Sequence, residues 1–463
     1  MEAITLRELL EAVDGKLLGS YADLDTPILA VDIDSRKVHQ AGLFVPLLGE
    51  RVDGHAYINS ALEAGAAGCL LSRPRDSYRD DKFYVKVGNT EKALGDLAAW
   101  YKSRFQIPFI GVTGSVGKTT AKDMIAAVLS TKYKVLKTEG NYNNNVGLPL
   151  TILRLNREHE VCVLEMGMDR FGEIDYLGGI VQPDVGVITN IGDAHIERLG
   201  SRENIFKAKC ELLPHIKRDG LLVVNGDDEL LVTLRGSAPV AAAFCGTGEE
   251  NEYRACLTGG DGISHIHCRL TTPHMDQEVM IPALGEHMIY PTLLAAAVAE
   301  RFGLTAEQIS LGLTQFVPTR MRMNIHTRAN GITILDDTYN ASPQSMRAAI
   351  SVLSDSPGSW KAAVLGDMLE LGPFAPALHA GVGEYLGKVG INCLVAVGEQ
   401  AENIAQSARE SGVPVVYHCK SREEAEKVLP EILRPDSTIL VKASRGMQLE
   451  TLSACLLNLT QEA

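Results

Sequence analysis

The stretch that decides the fold is "FIGVTGSVGKTT", residues 109–120, in which an apolar run passes through a glycine-rich turn into a helix-like segment. A phosphate-binding loop requires this order of strand, loop and helix, because backbone N–H groups and the helix N-terminus attract phosphate oxygens. The spacing departs from the strict motif, since Val112 stands five places before Gly117, where a glycine is usual, and Gly111 lies one place earlier. We nevertheless predict a nucleotide-binding loop rather than an ordinary glycine-rich turn.

The loop has two side chains with predicted tasks. Lys118 is expected to reach the β- and γ-phosphates, and the Thr119 hydroxyl is expected to bind Mg²⁺. The remaining contacts are expected from backbone amides, which the glycines allow to wrap closely around phosphate. The predicted nucleotide-binding residues are Gly114, Ser115, Val116, Gly117, Lys118, Thr119 and Thr120.

Composition restricts the class of protein. The chain has 463 residues with a formal net charge of −14. The length predicts roughly two to four domains, and the charge argues against nucleic-acid binding, which needs a basic face. Its nine cysteines are scattered without a C-x-x-C pair, a pattern typical of reduced thiols. The N-terminus is acidic and amphipathic, unlike a signal peptide, and no apolar run is long enough for a membrane span. We therefore expect a cytoplasmic protein.

Three segments of the chain differ in pattern. Residues 1–85 mix short strands and helices, and residues 86–314 alternate apolar runs such as "VCVLEMG" and "DVGVITNI" with helical stretches. Residues 315–463 resume this alternation after the break "QFVPTRMRM" (315–323). Buried runs separated by helices predict parallel sheets covered on both faces. The predicted fold is α/β with three domains: a small N-terminal domain, a central parallel-sheet domain carrying the phosphate loop, and a C-terminal Rossmann-like domain.

Three further residues of the central segment are candidates for the site. Glu165 ends the run "VCVLEMG", where an acid can hold the metal of a phosphate loop, although an exposed strand-end acid is the common alternative. His195 follows the run "VGVITNI" and is expected at the same sheet edge; Mg²⁺ prefers oxygen ligands, and a lone His is more often structural. Lys209 lies fourteen residues further on, in "KAKCELL", where a solvated helix lysine is the ordinary alternative.

Two polar stretches raise separate questions. "GNYNNNVGLPLT" (140–151) concentrates asparagines, whose amides both donate and accept hydrogen bonds, so we predict ligand contact over an ordinary surface loop. In "SHIHC" (264–268), alternation places His265 and His267 on one strand face and Cys268 on the other. No second ligand pair follows at zinc-site spacing, so this stretch is predicted to be a half-exposed strand.

The ordered set TGSVGKTT, GNYNNNVGLPLT, EMGM, NIGDAH, KAKCEL, GEH and DDTYNASP resembles the Mur ligases, the ATP-dependent amide-forming enzymes of peptidoglycan synthesis. The segments DDTYNASPQSMRAAI, LGDMLELG and DIDSRKVHQAGLFVPLLGERVDGH are similar to the family members that add a dipeptide. The resemblance covers nearly the whole chain. It implies that residues 1–85 bind the UDP-sugar, residues 86–314 bind ATP, and residues 315–463 close over both and bind the dipeptide.

The resemblance also implies a reaction. The γ-phosphate of ATP would pass to the terminal carboxylate of a UDP-N-acetylmuramoyl-tripeptide. The amine of D-alanyl-D-alanine would then attack the acyl phosphate through a tetrahedral intermediate. Phosphorylation of the carboxylate replaces oxide, a poor leaving group, by phosphate. The site must bring several anions together, so Mg²⁺ and Lys118 are needed to neutralise their charge. The resemblance further implies two Mg²⁺ ions and a carbamate formed from CO₂ on Lys209, and we expect a monomer.

The functional residues of the family are carried over position by position. The implied catalytic residues are Lys118, His195, Lys209 and Asn144. The implied metal ligands are Thr119, Glu165, His195 and Lys209. The implied nucleotide contacts beyond the loop are His287, Arg322 and Asp337, and the implied substrate contacts are Ser35, Arg36, Asn145, Tyr339, Asn340 and Arg445.

One motif departs from the family. Many Mur ligases have G-x-H-N-x-x-N where this chain has "GEHMIYP" (285–291), so Met288 and Pro291 replace two asparagines. Amide hydrogen bonds from these positions to adenine are therefore not expected, and apolar contact and stacking take their place.

Other functions remain open at this point. One is a Mur-type ligase that adds a single amino acid, although the D-N-P-R-type motif of the diaminopimelate-adding enzymes is absent. Folylpolyglutamate synthetases share the central fold, but they lack an N-terminal domain with the DSRKV…LFVPL sequence found here. A nucleotide-gated binding protein of a different class would leave two domains unexplained, and a guanine-reading N-K-x-D is not apparent. Lysine and diaminopimelate are equally open as the third residue of the tripeptide.

Overall fold

The computed structural model of the chain describes residues 1–49, 52–328 and 331–462. Glu50 and Arg51 of the N-terminal motif lie outside the described residues, together with residues 329, 330 and 463 and the side chains of residues 460–462. The described strands form three larger sheets and one two-stranded pair, which follow one another along the chain. The predicted α/β class with parallel sheets is confirmed, whereas the exact domain limits stay predictions.

The N-terminal part contains a five-stranded sheet in the order β2-β7-β6-β5-β4 and a separate pair β1-β3. Strand β2 is antiparallel to β7, and the other neighbours in the larger sheet are parallel. Its strands are β1 Ile4–Thr5, β2 Lys16–Leu18, β3 Pro27–Ile28, β4 Ala30–Asp32, β5 Gly42–Phe44, β6 Gly68–Leu71 and β7 Phe83–Lys86. Its helices are α1 Leu6–Ala12, α2 Ile58–Glu63 and α3 Thr90–Lys102.

The central part is a nine-stranded sheet in the order β16-β15-β14-β13-β12-β11-β8-β10-β9. Its strands are β8 Phe109–Thr113, β9 Val135–Lys137, β10 Val161–Glu165, β11 Val185–Ile188, β12 Leu221–Asn225, β13 Ala241–Gly246, β14 Tyr253–Gly260, β15 Ile266–Thr271 and β16 Asp276–Ile281. Its helices are α4 Lys118–Leu129, α5 Gly147–Ile152, α6 Glu173–Val181, α7 Ile196–Leu199, α8 Arg202–Cys210, α9 Ile289–Arg301 and α10 Ala306–Thr314.

Strand order within the central sheet locates the site. Strands β8 to β14 are all parallel to their neighbours in this set. Strand β8 lies between β10 and β11. After β8 the chain therefore adds strands on one side, and it later returns to add strands on the other side. A crevice forms where connections diverge in this way, at the carboxyl ends of the strands. Strands β15 and β16 extend the sheet as an antiparallel ribbon, an addition that the predicted parallel sheet did not include.

The C-terminal part is a six-stranded sheet in the order β17-β18-β22-β19-β20-β21, in which only β17 is antiparallel to its neighbour among the described strands. Its strands are β17 Asn324–Thr327, β18 Thr333–Asp337, β19 Trp360–Gly366, β20 Cys393–Val397, β21 Val415–Cys419 and β22 Ser437–Lys442. Its helices are α11 Pro343–Asp355, α12 Ala375–Lys388, α13 Ala401–Glu410, α14 Arg422–Ile432 and α15 Glu450–Glu462.

The central and C-terminal sheets are buried between helices. Strands β8, β10 and β11 are buried along their whole length, as expected for apolar runs covered on two faces. The segment between α10 and β17 links the central and C-terminal sheets. Within the described ranges, no helix combines the length and apolarity needed to cross a bilayer.

Candidate functional site

The phosphate loop lies between β8 and α4, at the carboxyl end of the central sheet. Gly114 has φ +148°, and a Cβ at this position would lie 1.8 Å from Thr189 Oγ1, so no larger residue fits without displacing its neighbour. The loop is held from the next strand, because Val116 N donates to Asn190 Oδ1 at 2.9 Å. Lys118 Nζ donates to the Gly114 carbonyl at 2.7 Å. The amide groups are therefore fixed in place, with the lysine folded over the loop.

Thr119, at the start of α4, contacts the acid that ends β10. Its Oγ1 donates to Glu165 Oε2 at 2.8 Å, and both residues are buried. Asn143 Nδ2 donates to the other carboxylate oxygen of Glu165 at 2.8 Å. Glu165 is therefore not the exposed strand-end acid of the alternative interpretation.

These oxygens suit a magnesium ion. Adjacent ligands of an octahedral Mg²⁺ with bonds of 2.0–2.1 Å lie about 2.9 Å apart, close to the 2.8 Å between Thr119 Oγ1 and Glu165 Oε2. Within the described part of the chain, no three His, Cys, Asp or Glu side chains cluster as a metal site. Mg²⁺ commonly takes one or two carboxylates and completes its shell with water and phosphate oxygens. The residues thus fit a metal that arrives with a nucleotide.

His195 lies where the central part meets the C-terminal part. Its Nδ1 is 2.6 Å from Glu370 Oε2, but the approach is too poorly aligned for a hydrogen bond, so this buried nitrogen has no hydrogen-bond partner among the described residues. Contact with His195 is the largest influence that holds the pKa of Glu370 below its usual value. The His195 imidazole thus lies at the cavity that the phosphate loop lines, with its Nδ1 facing the Glu370 carboxylate.

Lys209 on α8 is buried, with a relative exposure of 1%. Burial, and secondly the charge of Lys118, hold the pKa of its amine well below the usual value. No hydrogen bond or ion pair to its amine is found within the described ranges. The alternative of a solvated helix lysine is therefore wrong, and burial disfavours the charged form of the amine.

The C-terminal part brings further polar groups to the loop. Arg322 Nη2 donates to Thr119 Oγ1 at 3.0 Å, and its guanidinium lies 4.2 Å from the centre of the Tyr339 ring. Lys442 Nζ donates to Asp337 Oδ2 at 2.6 Å and to the Asn340 carbonyl at 2.9 Å. The linker therefore contacts the phosphate loop helix directly, and the loop after β18 lies beside the predicted nucleotide-binding site.

A cavity of about 370 Å³ lies between the phosphate loop and the C-terminal part. It brings together most of the predicted site residues. Those that line it are Ser115, Val116, Gly117, Lys118, Thr119, Thr120, Glu165, His195, His287, Arg322, Asp337, Asn340 and Arg445.

A second cavity, also of about 370 Å³, adjoins the first, and both are lined by loop residues such as Val116 and Gly117 and by His287 and Met288. Met288, Tyr290 and Pro291 contribute to its wall, and Tyr290 Oη donates to Asp227 Oδ2 at 3.1 Å. Met288 and Pro291, which replace the two asparagines of the family motif, therefore line a cavity large enough for a nucleotide base. Both present apolar side chains to it.

Some predicted residues lie elsewhere. Asn144 and Asn145 do not line either cavity, and Asn144 Oδ1 accepts hydrogen bonds from the backbone at the start of α5. Arg36 pairs with Asp34 in the N-terminal part, with an exposed side chain. Ser35 adjoins this pair in the same turn. The roles given to these residues stay predictions.

Three residues of the site were missed from the sequence. Asn143, the neighbour of the predicted Asn144, is the asparagine that reaches Glu165. Glu370 lies in "GDMLELG", a stretch that the resemblance had already singled out. Lys442 lies in "TILVKAS", which had been predicted as a strand. The available signal was a charged side chain at the end of a strand for Lys442 and in the loop after a strand for Glu370.

Three family models match the chain: the Mur ligase middle domain over residues 112–299, the Mur ligase, glutamate ligase domain over residues 321–445, and the Mur ligase family, catalytic domain over residues 27–102. A UDP-N-acetylmuramoyl-tripeptide–D-alanyl-D-alanine ligase of Bacillus subtilis (strain 168) is 38% identical over 449 residues, which cover 96% of each chain. Among solved structures, MurF from Acinetobacter baumannii superposes with a TM-score of 0.92 at 33% identity, covering 99% of each chain. MurF ligase from Thermotoga maritima in complex with ADP superposes with a TM-score of 0.84 at 28% identity, covering 94% of this chain and 98% of that one.

Proposed function

Because this chain belongs to the Mur ligase family, we propose that it is an ATP-dependent ligase that joins D-alanyl-D-alanine to UDP-N-acetylmuramoyl-tripeptide in peptidoglycan precursor synthesis. The resemblance predicted from the motifs is confirmed by the family models and by the relatives. The observation that carries the activity is the match to a ligase of this name over 96% of both chains. The cavity between the phosphate loop and the C-terminal part supports it, since the acyl transfer needs a site closed from two sides.

The reaction begins with transfer of the γ-phosphate of ATP to the terminal carboxylate of the tripeptide. The backbone amides of residues 114–117 and the N-terminus of α4 bind the phosphates. Lys118, now bonded to loop carbonyls, turns to the β- and γ-phosphate oxygens and offsets their charge. Thr119 and Glu165 would hold Mg²⁺, which would supply charge neutralisation at the phosphates.

The second half of the reaction joins the amine of D-alanyl-D-alanine to the acyl carbon. The ammonium group first loses a proton to solvent; the neutral amine then attacks the acyl carbon, and the tetrahedral intermediate loses a further proton as it expels inorganic phosphate. His195 lies at the C-terminal wall of the same cavity as Lys118 and Thr119. His195 would hold a second Mg²⁺ through its imidazole, whose Nδ1 faces Glu370. Asn144 keeps its proposed catalytic role only if its loop moves, because it lines neither cavity in this arrangement.

We propose that Lys209 carries a carbamate formed with CO₂. Its burial beside Lys118, without an anionic partner among the described residues, supports this proposal, because a buried cation next to another cation is unfavourable. The carbamate replaces an amine by an anion with two oxygens. Such an anion can support the second Mg²⁺ together with His195.

The other substrate groups are assigned to the flanking parts. Ser35 and Arg36 would bind the UDP-sugar, and Asn145 would contact the tripeptide. Arg322 and Asp337 would bind the nucleotide, with His287 between the two cavities. Tyr339, Asn340 and Arg445 would complete the closed site, with Arg445 facing the dipeptide carboxylate. We further propose that the protein is a cytoplasmic monomer and that the three predicted segments, 1–85, 86–314 and 315–463, act as the three domains.

One assay tests the activity. The protein is incubated with ATP, Mg²⁺, D-alanyl-D-alanine and either the lysine or the diaminopimelate form of the UDP-tripeptide, and the product is weighed by mass spectrometry. We expect a product heavier by the dipeptide less water, with phosphate release that requires both co-substrates. Addition of a single amino acid instead would identify a different Mur-type ligase. Phosphate release that is independent of both co-substrates would favour a nucleotide-gated binding protein and overturn the proposal.

A further inference from the structure

Three carboxylates line the cavity between the phosphate loop and the C-terminal part: Glu165, Asp337 and Glu370. Glu165 accepts hydrogen bonds from two side chains, Thr119 and Asn143. Asp337 is paired with the ammonium group of Lys442. The Glu370 carboxylate pairs with His195 and is influenced by the charge of Arg198, and its side chain is 47% exposed. It is therefore the carboxylate whose charge the cavity leaves open to a substrate.

Glu370 is held in position by its backbone. Its φ is +62°, a left-handed conformation that disfavours residues other than glycine. The Glu197 amide donates to the Glu370 carbonyl at 3.3 Å, and the Leu369 amide donates to Ser444 Oγ at 2.9 Å. Strained backbone persists where the surroundings determine it, and it is concentrated at functional sites. The loop thus presents the carboxylate beside His195, at the end of the cavity where the acyl phosphate would form.

A cation lies on the neighbouring loop. Arg445 follows Ser444, the residue bonded to Leu369, and it also lines the cavity. Its guanidinium pairs with Glu450 at 2.7 Å and is 55% exposed. An extended dipeptide spans roughly 7 Å, a distance that two adjoining loops can bridge. Leu369 lies on the cavity wall with 46% exposure, which gives small apolar side chains a surface to pack on.

We propose that Glu370 binds the α-ammonium group of the incoming dipeptide and so positions its nitrogen beside the acyl phosphate. This inference rests on the proposed ligase function and adds a binding residue to it. A zwitterionic dipeptide would lie with its ammonium group on Glu370, its side chains against Leu369 and its carboxylate toward Arg445. Charge complementarity of this kind favours a dipeptide over molecules that lack the ammonium group.

The test compares wild type with Glu370→Gln, which keeps the shape and removes the charge. We expect the KM for D-alanyl-D-alanine to rise on the order of tenfold to a hundredfold, as for loss of one hydrogen-bonded charge pair. N-Propionyl-D-alanine, which lacks the ammonium group, serves as a competitive probe. Wild type should bind the dipeptide much more tightly than the probe, and Glu370→Gln should bind the two about equally. An unchanged preference for the dipeptide would overturn the proposal.

Two further measurements separate this role from support of His195. Acyl phosphate formed without dipeptide is trapped by hydroxylamine as the hydroxamate, and its yield should fall at most severalfold in Glu370→Gln. A loss as large as the loss of ligation would assign Glu370 to the first half-reaction and overturn the proposal. Glu197→Gln is the matched control, because this exposed carboxylate adjoins the same loop without lining the cavity. If wild type itself makes no dipeptide product, the ligase function fails rather than this inference.

Discussion

Thr319, in the linker between the central and C-terminal sheets, donates a hydrogen bond through Oγ1 to Asp123 Oδ2 on α4 at 2.5 Å. One turn earlier on the same helix, Thr119 accepts a hydrogen bond from Arg322. Residues three apart in the linker therefore meet residues four apart on the helix that begins at the phosphate loop. The linker is therefore hydrogen-bonded to this helix at two points. A displacement of the phosphate loop and its helix would also displace the linker to which the C-terminal part is attached.

The first prediction is that Thr319→Val lowers stability and weakens ATP binding. The substitution keeps the shape but leaves a buried carboxylate oxygen without its donor, which costs about 1–3 kcal/mol. Calorimetry should record a melting temperature several degrees lower, and the KM for ATP should rise. Thr327→Val, at the exposed end of strand β17, is the control; it loses only a 3.3 Å hydrogen bond with Thr333 and should change both quantities much less. An unaltered melting temperature for Thr319→Val would mean that the linker contact contributes nothing.

The second prediction concerns the pH dependence of that contact. Burial, the largest influence, disfavours the charged Asp123 carboxylate, but Lys122, Lys137 and Thr319 together hold the pKa of the carboxyl below its usual value of 3.8. A depressed carboxyl pKa contributes stability above the unfolded pKa and loses it as the pH falls through the folded one. Asp123→Asn should therefore be less stable than wild type at pH 7. The difference in melting temperature should shrink as the pH falls below about 4. A constant difference across this range would contradict the assignment.

The third prediction concerns the pair Asp337 and Lys442, which are neighbours across β18 and β22. Their side chains are 17% and 3% exposed, respectively. Removal of one partner of a buried ion pair costs about 3–5 kcal/mol, because the other charge stays buried and unpaired. Lys442→Met should therefore destabilise the protein strongly, and adding Asp337→Asn should recover part of the loss. Thermal unfolding of the two single variants and the double variant measures this coupling, which is absent if their effects simply add.

The fourth prediction is that Lys118→Ala lowers turnover by roughly a hundredfold or more, as for removal of one preorganised electrostatic group. Binding of ATP should persist, because the loop is held independently of the lysine: Asn190 Oδ1 accepts from the Val116 amide, and the Gly192 amide donates to Ser115 Oγ. Equilibrium binding of a labelled ATP analogue, measured beside turnover, distinguishes the two effects. Near-normal turnover would remove Lys118 from the mechanism.

Local pattern predicted the elements well. The run "FIGVT" is strand β8 residue for residue, and the alternation beyond residue 315 became five parallel strands with one antiparallel edge strand. Strand order was beyond such reasoning, because β18 pairs with β22 about a hundred residues later. Asp337 and Lys442 can form their ion pair only because β18 and β22 are neighbours in the sheet. The contact of His195 with Glu370 likewise depends on how two sheets meet, which no local pattern encodes.

Burial was the second quantity that the sequence left undecided. Lys209 occupies a helix of mostly polar sequence, "RENIFKAKC", in which a lysine is normally solvated. The structure buries Lys209 and leaves Lys207, two residues earlier, exposed. Helical periodicity alone allowed either outcome, because the few apolar residues of α8 do not decide which of the two lysines is covered by the neighbouring elements.

The last prediction uses this difference between two lysines of one helix. If Lys209 carries a carbamate, Lys209→Ala should lower ligation on the order of a hundredfold or more, because one key electrostatic group is lost. Acetate or formate should restore part of the activity by filling the vacated space with a carboxylate. Lys207→Ala is the matched control and should lose little, since its side chain is exposed. Equal losses in the two variants would point to a general effect on α8.

A direct observation of the carbamate separates it from a neutral amine that only packs. Addition of CO₂ consumes the free amine and releases a proton, and the low pKa of the buried Lys209 amine favours the neutral form that reacts. In buffer containing ¹³C-labelled CO₂, wild type with Mg²⁺ and an ATP analogue should give a carbamate carbon resonance that Lys209→Ala lacks and Lys207→Ala keeps. Activity should fall when CO₂ is removed and return when bicarbonate is added. Full activity in CO₂-free buffer, together with no resonance, would leave Lys209 as an uncharged amine beside the phosphate loop and end the carbamate proposal.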